Sequence, residues 1–428
     1  MSLGLAPLGR IRARLRVPGD KSISHRALIL NALAEGRARV RGLAPGLDVR
    51  STLTALAAFG TEITLDPDGN VEVTGAKDWR AQETIDCGNS GTTARLLMGA
   101  LAPRARGSVV LDGDASLRRR PMARAIEPLV AMGAEIAPRG EPGRLPVSVT
   151  GCRLTGRRHR LQVASAQVKS AILLAGLAAE GETVVEEPVR SRDHTERLLR
   201  AMGAGIEVEG SRIRLTPGPL RAVDVDVPGD VSSAAFFFGL AAASGGEATV
   251  EDVGLNPGRT GFLDLLARLG ADVAIDIESD DVEPRGTVAL RAGGLRAIEV
   301  GADEVPGAID ELPLLAVVAT QADGETRVTG AAELRVKESD RIAAIADGLA
   351  RMGADVRALP DGFVVRGPTR LSGAELDARG DHRIAMALAI AASLADGPSS
   401  LAGAEWVDVS YPGFFPALAG CADARVIA

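Results

Sequence analysis

The chain has 428 residues and a formal net charge of −7, which calls for two or more domains and argues against a general nucleic-acid binder. Its longest near-apolar runs, Ala234 to Ala243 and Ile384 to Ala395, fall short of the roughly 18 residues that suggest a membrane span. No basic-then-apolar leader opens the sequence, and the cysteines (Cys87, Cys152, Cys421) are odd in number and lack metal-binding spacing, so a reduced cytoplasmic enzyme is expected.

The first informative element is Val17-Pro-Gly-Asp-Lys-Ser-Ile-Ser-His-Arg26, running into an apolar helix before Gly36. The same scaffold recurs as Val227-Pro-Gly-Asp-Val-Ser-Ser-Ala-Ala-Phe236 before Gly245, without Lys21, His25 and Arg26. Cations at a helix start oppose the macrodipole, so basic groups there point to a bound phosphate or carboxylate. Lys21 and His25 are four apart and share a face, as do Ser22 and Arg26. Lys21 is also one of only four lysines among 49 basic residues, with Lys77, Lys169 and Lys337.

Next comes Asp86-Cys87-Gly88-Asn89-Ser90-Gly91-Thr92-Thr93-Ala94-Arg95. This reads as a strand, a small-residue turn and a helix. Its glycines let backbone N–H groups approach a ligand, although Asn89 or Ser90 acting as a plain helix cap explains it equally well. In Leu117-Arg-Arg-Arg-Pro-Met122 the arginines 118–120 precede Pro121, read as the first helical residue, again at the wrong end for the dipole. Ser165-Ala166-Gln167 and Ile309-Asp310-Glu311 open two further apolar helices, where Ser and Asp suffice as caps.

Arg335-Val-Lys-Glu-Ser-Asp-Arg341 is densely charged with both signs. It is either an ordinary surface helix or a carboxylate placed beside cations for proton transfer to an anionic substrate. Gly380-Asp381-His382-Arg383 then leads into an almost wholly apolar helix. No metal cluster, dinucleotide fingerprint or Walker sequence is present in the chain.

Two repeats organise these motifs. Helices ending in Leu-x-x-(Met/Leu/Phe)-Gly precede strands at Gly60, Gly133, Gly203, Gly270 and Gly353, each expected to be a glycine cap. Polar turns followed by Ala/Leu-rich helices start near Asp20, Asn89, Ser165, Asp230, Ile309 and Asp381, about 70 residues apart, a period that means whole supersecondary units. Each unit reads as strand, helix, strand, helix, strand, strand. The two Val-Pro-Gly-Asp copies divide six units into two sets of three, with chain crossings near Pro18 and Pro228.

Lys21-Ser22-x-x-x-Arg26, Gly88-Asn-Ser-Gly-Thr92, Arg120-Pro121, Arg335-Val-Lys-Glu-Ser-Asp-Arg341 and Asp381-His382-Arg383 resemble, in order and from about Leu8 to Phe415, the motifs of the 5-enolpyruvylshikimate-3-phosphate (EPSP) synthase family. The resemblance implies an α/β, two-domain enolpyruvyl transferase fold of six βαβαββ units, three per domain about a pseudo-threefold axis. Residues 1–18 plus 228–428 would form a discontinuous domain and 19–227 an inserted one, with the active site in the cleft between them. It implies transfer of the enolpyruvyl group of phosphoenolpyruvate to the 5-hydroxyl of shikimate-3-phosphate through a tetrahedral intermediate. The enzyme would be a monomer, without cofactor or metal, and a target of glyphosate, for which the bare Gly91 leaves room.

By the same resemblance Lys21, Asp310 and Glu338 are catalytic. Lys21, Asn89, Gly91, Arg120, Gln167, Arg341, His382 and Arg383 would hold phosphoenolpyruvate. Ser22, Arg26, Ser165, Gln167, Ser191, Asp310 and Lys337 would hold shikimate-3-phosphate. The sequence departs from the family pattern in having Ala166 where many relatives have a second serine, Leu96 for Pro, His194 for Tyr in some relatives, and no Lys before Tyr411-Pro412. The sister transferase acting on UDP-N-acetylglucosamine is the nearest rival, but none of the three cysteines has the context of its loop cysteine. A non-catalytic anion-binding protein on the same scaffold is the other; intact Lys21, Asp310, Glu338 and Arg341 speak against it.

Overall fold

A computed structural model describes residues 2–67, 69–76, 79 and 84–421; Lys77 lies outside them. The chain forms two compact units, Met1–Pro18 with Pro228–Ala428, and Gly19–Val227.

Among its described residues the Gly19–Val227 unit holds three four-stranded sheets of one pattern. In strand order they are Val225–Asp226, Arg37–Arg41, Val71–Thr74, Glu62–Leu65; Ile85–Asp86, Ser108–Asp112, Val147–Thr150, Glu135–Pro138; and Arg158–Arg160, Thr183–Glu186, Arg212–Thr216, Gly205–Glu209. In each, the first pair is parallel and the other two are antiparallel. A parallel pair needs a crossover, which the Ala-rich helices Gly91–Leu101 and Ala166–Gly176 supply in the last two sheets. In the first sheet the parallel partner, Val225–Asp226, arrives from the far end of the unit, and the helix Lys21–Leu33 leads into Arg37–Arg41.

The other unit repeats the pattern with sheets Arg12–Leu15, Glu247–Gly254, Arg285–Arg291, Asp272–Ser279, and Glu299–Val300, Gly324–Val328, Gly362–Gly367, Asp355–Leu359. Its third sheet has three strands: Glu375–Asp377, Ser399–Ala402 and the N-terminal Ser2–Leu5. The first 18 residues thus supply strands to two sheets built mainly from the far half of the chain, which makes this unit discontinuous.

Helices Val231–Ser244, Leu312–Ala319 and His382–Ser393 pack on one another in this unit and are buried almost end to end. A helix enclosed on all sides needs no polar face, which explains why they are almost wholly apolar past their first turns. The outer helices Gly261–Leu269 and Arg341–Arg351 keep exposed charged residues on one side. In the Gly19–Val227 unit, a Cβ on Gly99 would lie 2.1 Å from the Ala171 carbonyl oxygen, so the helices Gly91–Leu101 and Ala166–Gly176 meet backbone to backbone. All five repeat glycines have left-handed φ, from +85° at Gly203 to +108° at Gly270, as a helix-ending cap requires. Among the described residues no helix is long and apolar enough to cross a membrane.

Candidate active site

Five of the six equivalent inner helices begin with a side-chain cap. Asp20, Ser90, Ser165, Asp230 and Asp381 each accept a hydrogen bond from a first-turn backbone N–H. The sixth, Leu312–Ala319, has no side-chain cap. Asp310 therefore does not have the capping role that its position suggested. Its Oδ1 lies 3.2 Å from Arg341 Nη1 and its Oδ2 3.8 Å from Arg259 Nη1.

Arg341 organises the candidate residues of the Pro228–Ala428 unit. Its Nε contacts Asp381 Oδ2 at 2.8 Å, its Nη2 contacts Glu338 Oε2 at 2.6 Å, and its Nη1 reaches Asp310. Burial works against its charge, but the carboxylates of Asp381, Glu338 and Asp310 outweigh burial and push its pKa up. Asp381 is wholly buried and serves twice: Oδ1 caps the His382–Ser393 helix while Oδ2 takes Arg341. Glu338 and Asp310 are partly open, with side chains 14% and 15% exposed, so two carboxylates on one guanidinium are accessible to a ligand.

The stretch 335–341 is not one surface helix. A turn of 3₁₀ helix, Ala332–Val336, ends at Lys337, and Asp340 caps a new helix from Arg341. Lys337, Glu338 and Ser339 lie in the break, and Lys337 and Arg341 are not helical neighbours. Beside them Arg383 Nη1 lies 3.7 Å from Glu311 Oε1, and His382 is 2% exposed. The second Val-Pro-Gly-Asp copy also has a cation after all. Arg259, from a loop further along the chain, donates to Asp230 at 2.8 Å and to Ser232 at 2.7 Å.

In the Gly19–Val227 unit Lys21 Nζ rests 2.7 Å from Asp48 Oδ2, with the Lys21 side chain 19% exposed. Ser22 is half-buried, and its carbonyl accepts Arg26 Nη1 at 2.9 Å. His25 differs from the anion-site reading. It is fully buried, with Nδ1 2.7 Å from Thr52 Oγ1, and Thr52 passes the chain to Thr93 and Ser90. Burial, then Lys21 and Arg26, drive its pKa well below the ordinary value, so it adds no charge near neutrality. Arg26 is also buried, donating to Thr195 Oγ1 at 2.8 Å and Ser170 Oγ at 2.9 Å.

Around the Gly91 helix start, Asn89 donates to Asp114 Oδ2 at 2.7 Å and accepts from Arg120 Nη2. Gln167 is tied to the same helix, donating to Thr92 at 2.9 Å and accepting from Arg95 at 2.7 Å. The arginine run does not precede a helix as read: Ala115–Arg119 is a short helix whose last turn holds Arg118 and Arg119, and the next helix begins at Ala123, past Pro121. Those two cations therefore sit at the favourable helix end, and Arg118 pairs with Asp112. Arg120 alone turns inward. Ser165 caps its helix, and Ser191 donates its hydroxyl to Glu187.

Residues not singled out from sequence also belong here: Asp48 beside Lys21, Arg95 beside Gln167, and Arg259 and Glu311 beside the acidic group. All are charged residues buried wholly or in part. Arg95 and Glu311 lie inside motifs read from the sequence, but nothing in the local sequence of any of the four marks burial.

Six repeats in two sets, with carboxylates and cations gathered at the starts of the inner helices, define the two-domain enolpyruvyl transferase fold. A family model described as EPSP synthase (3-phosphoshikimate 1-carboxyvinyltransferase) matches residues 5–418, and the chain belongs to that family. It is 49% identical over 415 residues to a 3-phosphoshikimate 1-carboxyvinyltransferase of Anaeromyxobacter sp. (strain Fw109-5), covering 96% of each chain. It is 48% identical to the enzyme of that name from Geobacillus thermodenitrificans, covering 95% of each. The solved EPSP synthase of Acinetobacter baumannii superposes with a TM-score of 0.86 at 42% identity, over 98% of both chains.

Proposed function

We propose that this protein transfers the enolpyruvyl group of phosphoenolpyruvate to the 5-hydroxyl of shikimate-3-phosphate, releasing phosphate, in aromatic biosynthesis. The observation that carries the reading beyond family membership is the Arg341 fork. One buried guanidinium holds both Asp310 and Glu338, and the reaction needs two proton-transfer groups acting on one substrate pair.

The hydroxyl oxygen adds to the central carbon of phosphoenolpyruvate while its methylene carbon gains a proton. In this reading Asp310 takes the hydroxyl proton and Glu338 delivers the proton to carbon. The tetrahedral intermediate then loses phosphate, which leaves with the proton that Asp310 had taken, as Glu338 takes back a methyl proton, restoring the double bond and both starting protonation states. Lys21, Arg120, Arg341 and Arg383, with Asn89, Gln167, His382 and the Gly91 helix start, hold the carboxylate and phosphate of phosphoenolpyruvate. Cations and free N–H groups are the partners such oxygens require. Ser22, Arg26, Ser165, Gln167, Ser191 and Lys337 receive shikimate-3-phosphate.

Asp310→Asn and Glu338→Gln test the assignment. Each is expected to lower kcat by about 10²–10⁴, the usual worth of a positioned acid or base, with shikimate-3-phosphate binding by calorimetry retained in Glu338→Gln. Wild-type kcat in both variants contradicts it.

A further inference from the structure

Lys169 belongs to a buried ion cluster that the proposed chemistry does not use. It lies in the helix Ala166–Gly176, two residues after Gln167, with its side chain 1% exposed. Its ammonium is 2.8 Å from Glu187 Oε2, 2.7 Å from Glu196 Oε1 and 3.4 Å from the Ser191 carbonyl oxygen. Both carboxylates are as deeply buried as the lysine. Glu187 also accepts the Ser191 hydroxyl, and its Oε2 accepts the Ser191 N–H at 3.3 Å. Glu196 Oε2 is buried without a hydrogen-bond partner, and burial pushes the Glu196 pKa up against the pull of Lys169.

Such a cluster is a poor way to fill space. Apolar side chains of similar volume are often neutral or stabilising in place of a buried ion group. What the cluster does is tie three segments together: the inner helix, the turn carrying Ser191, and the helix His194–Ala201 carrying Glu196. The residues next to Lys169 and Glu196 are Ser170 and Thr195, whose hydroxyl oxygens lie 2.6 Å apart and which both accept from Arg26. The segments held by the ions are thus the ones that place Ser191 and the guanidinium of Arg26.

We propose that Lys169, with Glu187 and Glu196, is a positioning residue for the phosphorylated acceptor substrate, holding Ser191 and Arg26 where they meet it. This rests on the assignment of Ser191 and Arg26 to shikimate-3-phosphate given above. Lys169 itself touches no substrate.

The test uses the full chain carrying Lys169→Met together with Glu196→Gln, which removes one charge of each sign, with Ser191→Ala made alongside. Both are measured for kcat, for KM toward each substrate, and for thermal unfolding. The double variant is expected to fold and to raise the shikimate-3-phosphate KM about tenfold or more, with kcat and the phosphoenolpyruvate KM within about threefold, a split that general loosening does not produce. Unchanged shikimate-3-phosphate KM in the folded double variant, with a raised value in Ser191→Ala, overturns the positioning role alone. An unchanged value in Ser191→Ala overturns the substrate assignment and the proposal with it. Both KM values rising together while kcat falls would make the cluster merely structural. Should the double variant not fold, Glu187→Gln, which leaves one lysine facing one glutamate, carries the same readout: a rise of about threefold is expected, and no change overturns the proposal.

Discussion

Replacing Arg341 by Gln should be among the most damaging single changes outside the apolar core. The guanidinium makes three carboxylate contacts at 2.6–3.2 Å and is 2% exposed. Losing it leaves Asp381, which is 0% exposed, without its arginine. Glu338 and Asp310 lose a partner too, but each keeps some access to water. Breaking a buried ion pair from one side costs about 3–5 kcal/mol, because the remaining charge stays desolvated. At about 2–4 °C per kcal/mol for a unit of this size, the melting temperature should fall by about 6–20 °C. Calorimetric unfolding at pH 7.5 measures the effect. A variant that melts with the wild type there contradicts the estimate.

His25 provides a pH test. Its pKa is depressed on folding, so the unfolded chain takes up a proton that the folded one refuses, and stability is lost as pH falls below the ordinary value of about 6.5. The slope from this one group approaches about 1.4 kcal/mol per pH unit, and His25→Gln should flatten it in denaturant titrations between pH 6.5 and 5; equal slopes contradict the assignment. Gly99→Ala would place a methyl 2.1 Å from the Ala171 carbonyl oxygen and should cost about 3 kcal/mol or more, since two helix backbones must part; an unshifted melt argues against that contact. At Gly91 the added Cβ would meet the flexible end of Arg95 at 2.6 Å and Arg120 Nη1 at 3.4 Å, so Gly91→Ala should fold. Its inhibitory concentration of glyphosate should rise about tenfold or more, and an unchanged inhibition curve removes the steric argument.

The fold was legible because its punctuation is local. Each repeat glycine follows a helical run and precedes alternating apolar residues, and only a glycine takes the required φ without strain. Five of the six inner-helix starts could be read for the same reason, from capping residues ahead of apolar runs, while the sixth, at Leu312, carries no side-chain cap. What stayed hidden was the direction in which each polar side chain points. His25 looked like a third cation beside Lys21, yet the same helix turns it into the core, where it is neutral. Arg118, Arg119 and Arg120 are consecutive, but a short helix ends among them and only Arg120 turns inward. Asp310 passed for a cap until Arg341, 31 residues later, took its carboxylate. The second Val-Pro-Gly-Asp copy looked uncharged because its arginine comes from a loop that only the tertiary fold brings back. Long-range pairing of buried charges leaves no periodic trace in a sequence.

Phosphate release by the purified protein, with shikimate-3-phosphate and phosphoenolpyruvate supplied singly and together beside a Lys21→Ala control, decides whether the chain is a transferase. Release should need both substrates and collapse in the control. Tight binding of shikimate-3-phosphate by calorimetry with no phosphate released would contradict that reading, and would make the protein a binder built on a transferase scaffold.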